Sequence, residues 1–221
     1  MKFIEKNLSN QPNSLVKHRQ QPHATYNNYY EKNDLREALL NEQGFICCYC
    51  MRRIQNAIAL KMILEHFNPE SIYNGTIDGK PNLTLDYNNI LASCTGGEKG
   101  HKKQYHCDEA KRNFEITLCP TNRTMMDKIK FDSSGRIFTD DVELDADIKV
   151  LNLNNQSLAR ERQAILDFLK NRISKVSSGK TVSKSFLTSE LKEWEKRKNN
   201  EHRSFCQVAI YYLSKRIKAI I

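Results

Sequence analysis

Four of the seven cysteines in this 221-residue chain are spaced as metal ligands. Cys47 and Cys50 form a CxxC pair, and Cys94 and Cys107 supply two further thiols downstream. Thiolates suit zinc, a borderline-soft ion, and a tight CxxC turn brings two ligands together at little further cost in chain entropy. The second pair is looser, since the segment TGGEKGHKKQYH separates its members where a compact knuckle has about two residues. That glycine-rich, basic loop also offers His101 and His106 as substitute ligands. Four buried thiols without a metal are the bland alternative. Cys48, Cys119 and Cys206 lack paired spacing and are expected as core thiols.

The cysteines bracket a second set of reactive residues. LEHFNP lies between the pairs, DYNNILASC leads into Cys94, and HCDEAK follows the loop. Glu65 directly precedes His66, Pro69 stands three residues after it, Asn89 lies five residues before Cys94, and Asp108 follows Cys107 with Lys111 three residues on. Together these fragments resemble an HNH nuclease motif. The fuller pattern, EQGFICCYCMRRI with LEHFNP, LDYNNIL and HCDEAK, looks like the PtuB nuclease family of Septu-type anti-phage systems, including its retron-associated branch. The resemblance runs from about Leu35 to Gly135 and more loosely into the tail.

Hydrolysis of a phosphodiester needs an activated water, an oriented phosphate and neutralisation of the leaving oxygen. In this reading His66 is the general base, because a neutral imidazole is a competent base near pH 7. Glu65 and Asp108 would hold a divalent ion, and two carboxylates favour Mg²⁺ or Mn²⁺ over softer metals. Asp108 departs from the usual HNH pattern, which has His or Asn there. Asn89 is expected to fix the loop that presents His66, with Asn88 a competitor that the spacing to Cys94 disfavours. Lys111 is expected either to contact phosphate or to be a solvated helix residue, and Lys102 and Lys103 are further candidate nucleic-acid contacts. The resemblance implies endonucleolytic cleavage leaving a 5′-phosphate and a 3′-hydroxyl, with DNA favoured and RNA, including tRNA, open. It also implies an ABC-type ATPase partner and, on the retron branch, a reverse transcriptase with its RNA/DNA. No GxxxxGK[ST] loop stands in this chain, so the ATPase would be a separate protein.

The elements that must position these residues can be read in outline. Residues 1–33 are polar, contain Pro12 and Pro22, and read as an irregular lead-in. Asp34 is expected to cap a helix over LREALLNEQ that ends at Gly44. Short apolar runs among Gly and Asn clusters between residues 45 and 120 suggest short strands and loops. IKFDSSGRIFTDD predicts a hairpin turning over Ser133 to Gly135. Beyond residue 155 the period becomes helical, with Leu158, Ile165, Leu166, Leu169 and Ile173 on one face and two or three helices in all. The expected class is α+β: a lead-in over 1–33, a zinc-stapled ββα-metal (HNH) unit over 34–149 opened by an N-terminal helix, and a basic helical region over 150–221.

Charge bounds the function. Net charge is +9, and the excess lies in residues 150–221, which hold 15 Lys and Arg against 6 Asp and Glu. Such a surface attracts phosphate by counterion release, although solvated basic helices look the same in sequence. Neither MKFIEKNLSNQPN nor any later stretch has the apolar run of a signal peptide or a membrane span, so a reducing, cytoplasmic setting without membrane contact is expected. Two rivals to the nuclease remain: a zinc-stapled nucleic-acid-binding module without catalysis, and a partner-docking subunit using Trp194, Phe205 and Tyr212 of the tail.

Overall fold

The computed structural model describes residues 1–54, 62–76, 79–97, 104–177 and 181–220. The N-terminal segment departs from the irregular lead-in expected of it. A 3-10 turn (Leu8–Asn10) and helix α1 (Asn13–Arg19) fold back on the body and bury Met1, Ile4, Leu15 and Tyr29. Widely spaced apolar residues in a polar stretch anchor it, and such anchors leave no periodic signature. Lys6 completes the attachment by pairing with the buried Glu42 at 2.9 Å and lying 3.6 Å over the Tyr87 ring.

Helix α2 (Lys32–Gln43) begins two residues before Asp34, which sits in its first turn and is not its cap. An acidic residue there still opposes the positive end of the helix dipole. Gly44 ends the helix at φ +63°, as expected, where a Cβ would lie 2.6 Å from the His202 ring.

Strands β1 (Met62–His66) and β2 (Ile90–Cys94) pair antiparallel, with Met62 opposite Cys94 and His66 opposite Ile90. All of β2 is buried, which explains its continuous small and apolar sequence ILASC. At its middle, Ala92 N–H donates to Gln43 Oε1 at 2.7 Å, while Ala92 O accepts from Gln43 Nε2 at 2.9 Å and from Cys48 N–H at 3.0 Å. Helix α2 and the CxxC turn are thereby fastened to the same strand residue. After β2 come α3 (Asp108–Lys111) and α4 (Arg123–Asp127).

Strands β3 (Lys130–Phe131) and β4 (Ile137–Phe138) form the expected hairpin, with Gly135 at φ +77° in its turn. A Cβ on Gly135 would collide with the Ala159 carbonyl, so glycine is required by close packing as well as by backbone angle. Helix α5 (Val142–Val150) is capped by Asp141, whose carboxylate accepts from Leu144 N–H. Helices α6 (Gln156–Ser177), α7 (Lys184–Glu195) and α8 (Cys206–Lys218) follow, matching the helical period of the tail.

These helices do not stand apart from the half that holds the cysteine cluster. Residues from Met1 to Leu213 share one apolar core. Arg162 of α6 is buried and donates to Gly135 O and Leu153 O, and Arg197 donates to the carbonyls of Asn41 and Glu42. Part of the basic excess is therefore structural. Trp194 and Phe205 are buried and Tyr212 packs on the core, which removes the first two as docking surface. Among the described residues the architecture is mixed, with helices around two small two-stranded sheets. Among the described residues, no helix is long and apolar enough to cross a membrane.

Candidate metal centre and the His66 site

The CxxC turn closes because Cys47 N–H donates to Arg52 O and Met51 N–H to Cys47 O, while Arg52 N–H points at Cys50 Sγ, 3.4 Å away. Met51 takes φ +67° to allow it. Cys94 ends β2, and Cys107 is placed by its N–H bond to Leu151 O at 3.0 Å. The four sulfurs converge, all within 4.8 Å of one another and all buried. Cys47 and Cys107 lie 3.7 Å apart, as do Cys50 and Cys94. Zinc–sulfur bonds of about 2.3 Å in a tetrahedron set neighbouring sulfurs about 3.8 Å apart, so the cluster fits zinc in size as well as in chemistry.

The thiols show the strain of four ionisable sulfurs in one buried space. Burial opposes ionisation of Cys47, yet contact with Cys107 holds it well below the usual thiol range, and the same contact lowers Cys94 to about 7. Burial pushes Cys50 and Cys107 up. Full ionisation of the set requires a cation.

His106 stands beside this cluster. Its Nε2 lies 3.3 Å from Arg52 Nη1, and a guanidinium can only donate, so the ring proton belongs on Nδ1. Nδ1–H then points at Cys107 Sγ, 3.1 Å away, and donates to that sulfur. The four sulfurs assemble without His106, which stands beside them with Nδ1 against Cys107 Sγ. His101, Lys102 and Lys103 fall outside the described residues.

The Glu65 and Asp108 carboxyls neighbour each other near the end of β1. Glu65 is 3% exposed, and its Oε1 accepts from Tyr49 O–H at 2.9 Å and pairs with Lys111 Nζ at 2.8 Å. Lys111 also donates to His66 O at 3.0 Å, tying α3 to the end of β1. This lysine is fully buried. It is not the solvated helix residue that the sequence allowed, because the cation that ends HCDEAK is turned inward by the carboxylate it meets. Burial first, and then the neighbouring Asp108 carboxyl, raise Glu65 to about 8 despite Lys111. Two acids thus share a space with less positive charge than they need. Oε1 carries both Tyr49 and Lys111, and the carboxyl group also contacts that of Asp108.

His66 is buried, and its Nε2 lies 2.8 Å from Thr84 O. A carbonyl only accepts, so Nε2 carries the proton and Nδ1 keeps its lone pair. Burial holds the imidazole below its ordinary pKa, which keeps it neutral near pH 7. Tyr26 packs edge-on against the ring, with centroids 4.6 Å apart and planes at 87°.

Asn89 clamps the chain after His66. Its Oδ1 accepts from Asn68 N–H at 2.8 Å, and its Nδ2 donates to Asn68 O and Leu83 O. Its carbonyl accepts from Phe67 N–H at 2.9 Å. Asn88, the competitor, is exposed. Removing three buried side-chain bonds leaves backbone groups unsatisfied, so Asn89→Ala is expected to lower the unfolding free energy by about 1–3 kcal/mol. Urea unfolding measures it, and Asn89→Asp, which cannot donate, should lie on the same side of wild type.

Several residues here gave no sequence signal. Tyr49 was hidden inside the CxxC, Tyr26 lay in the lead-in, and Thr84 acts through its carbonyl, which any residue possesses. Of the other histidines, His18 is buried on Thr25 O, His202 accepts from Arg197, and His23 is exposed.

The chain is 28% identical over 86 residues to a protein of Escherichia coli named "Retron Ec83 putative HNH endonuclease". The match covers 37% of this chain and 32% of that protein, so only about a third of the relative's length is represented. No protein-family profile matches the chain.

Proposed function

We propose that the protein is a metal-dependent HNH-type nuclease built on a ββα-metal unit, in which β1, β2 and α3 carry the chemistry and a zinc ion staples their ends. The observation that carries this reading is the meeting of Glu65 and Asp108 at the end of the strand whose last residue, His66, has its tautomer fixed with Nδ1 free. The distant relative named as an HNH endonuclease supports the same reading.

Cys47, Cys50, Cys94 and Cys107 would hold the zinc, and Glu65 with Asp108 would hold Mg²⁺ or Mn²⁺. A divalent ion there would offset negative charge on the phosphate and the leaving oxygen. His66 Nδ1 accepts a proton from water as the water oxygen bonds to phosphorus. The bond from phosphorus to the 3′ oxygen then breaks, the leaving oxygen takes a proton from solvent, and a 5′-phosphate and 3′-hydroxyl result. The Nε2–H bond to Thr84 O steadies the imidazolium that forms, as a fixed acceptor does for any catalytic histidine. Asn89 holds the loop after His66 so that Nδ1 keeps its place. Resemblance supports DNA as substrate, an ABC-type ATPase as partner and an anti-phage role of the PtuB, Septu or retron kind.

One observation favours the rival reading of a binding module without catalysis: Glu65 is already neutralised in part by Lys111 and bonded to Tyr49. A single experiment separates the two. Glu65→Ala and Asp108→Ala are expected to weaken activation by Mg²⁺, with part of the lost cleavage returning at high Mg²⁺ or Mn²⁺. Cleavage of labelled duplex DNA and of RNA across a metal titration, with and without the ATPase, measures this. Wild-type metal dependence in both variants would refute the assignment.

A further inference from the structure

The site as described lacks a cation for the substrate. Lys111 is consumed by Glu65, and the lysines of the loop after Cys94 are not described, so the positive group that meets a phosphate near His66 must be sought elsewhere. It lies in the segment read from sequence as an irregular lead-in. Lys32, the first residue of α2, holds its ammonium 4.3 Å from the centroid of the Tyr26 ring. Tyr26 in turn packs edge-on against His66 at 4.6 Å. Three side chains, two from the first 33 residues and one from the end of β1, therefore form one stack, from ammonium to phenol to imidazole.

Two features set Lys32 apart from an ordinary surface lysine. It is half-buried, and it forms no ion pair with any described residue. Even Glu70, the carboxylate whose charge reaches both Tyr26 and His66, is not paired with it. The Lys32 charge itself reaches His66, and Arg36, one turn further along α2, acts on Tyr26. A partly desolvated ammonium lying on an aromatic face has lost water without gaining a counter-ion, and a cation–π contact of this kind replaces only part of that hydration. A phosphate oxygen completes it.

We infer that Lys32, held on the Tyr26 ring, is the residue that contacts the backbone phosphate of the nucleic acid beside His66, with Tyr26 as the positioning residue for both. This rests on the nuclease reading. The ligand is a phosphodiester, recognised by charge and not by base, so Lys32 contributes affinity and register without sequence preference. Tyr26 needs its ring and not its hydroxyl, because both contacts are made through the ring.

The experiment is carried out on the full chain with His66→Gln as background, which fills most of the space under Tyr26, so that binding is measured without cleavage. Binding of a fluorescein-labelled duplex, and of the matching single strand, is followed by anisotropy across a salt series. Lys32→Ala and Lys32→Gln are expected to flatten the dependence of log K on log salt by about 0.9 for duplex and about 0.7 for single strand, the change for one lost phosphate contact. Lys32→Arg should keep the slope. In the cleaving protein, Lys32→Ala should raise KM several-fold with kcat little changed. Tyr26→Ala should lower kcat and flatten the slope as well, and Tyr26→Phe, which keeps the ring, should rescue what Tyr26→Ala loses. Thermal melts guard against unfolding, and Lys32→Gln serves where Lys32→Ala is unstable. An unchanged slope and KM in both folded Lys32 variants would overturn the inference while leaving the nuclease reading intact. Failure of the parent protein to bind either oligonucleotide would instead remove the nuclease reading, and this inference with it.

Discussion

Replacing Cys47 with serine is expected to remove cooperative folding of the half of the protein that contains β1, β2 and α3. Serine cannot supply the soft, readily ionised ligand that the cluster needs, and it leaves three sulfurs crowded around a weakened site. Zinc binding in small metal-stapled units is worth about 10 kcal/mol or more, which equals or exceeds the whole stability of an ordinary domain. The loss should spread, because Cys48 N–H bonds to Ala92 and Cys107 N–H to Leu151. Purified wild type is expected to carry about one zinc per chain, and a strong chelator should lower its melting temperature as the mutation does. Atomic absorption and calorimetric melting measure the two effects. Cys107→Ser should resemble Cys47→Ser, whereas His106→Ala should be much milder, since it removes a donor to one sulfur and not a ligand. A Cys47→Ser protein that melts as wild type does would show the sulfurs to be packing groups only.

His66→Gln should cut cleavage by at least about two orders of magnitude, the contribution of a positioned base, or roughly 3 kcal/mol in the barrier. Glutamine is chosen because its amide N–H can still reach the Thr84 carbonyl and fill most of the space under Tyr26, so the fold should survive. Zinc content, melting temperature and oligonucleotide affinity should stay near wild type. Unlike Glu65→Ala and Asp108→Ala, the His66 loss should not respond to added Mg²⁺ or Mn²⁺. Since base and carboxylates act as a unit, the double variant should be scarcely worse than the more damaged single one. The assay needs the ATPase present and absent, with DNA and RNA both offered. Full cleavage by folded His66→Gln under these conditions would sink the nuclease reading.

Much of this site was legible before any coordinates. Cys47 and Cys50 carry their meaning in two residues of spacing, and Glu65 beside His66 is likewise a local pattern. Asn89 was singled out by its distance from Cys94, and the structure gives it hydrogen bonds to Asn68 and Leu83. The helices after residue 155 declare themselves by an apolar period of 3.6, and Gly135 marks its turn because few other residues tolerate that backbone. Each of these signals is short-range or periodic, which is why a single sequence can display it.

What the tertiary structure alone decided concerns charge and burial. Lys111 and Lys32 are both lysines at the ends of helices, and nothing in HCDEAK or in EKNDLRE tells which one faces the core. Packing against Glu65 buries the first completely, while the Tyr26 ring holds the second half-buried and unpaired. The N-terminal segment shows the same limit, for Met1, Ile4, Leu15 and Tyr29 are scattered among polar residues and find their place only against a body formed elsewhere in the chain. Residue type and spacing determined which groups could ligate a metal or move a proton. Which lysine neutralises a carboxylate and which lies half-buried on an aromatic ring depends on the field and desolvation at one point in space, and those are set by every segment that packs there, however far away in sequence.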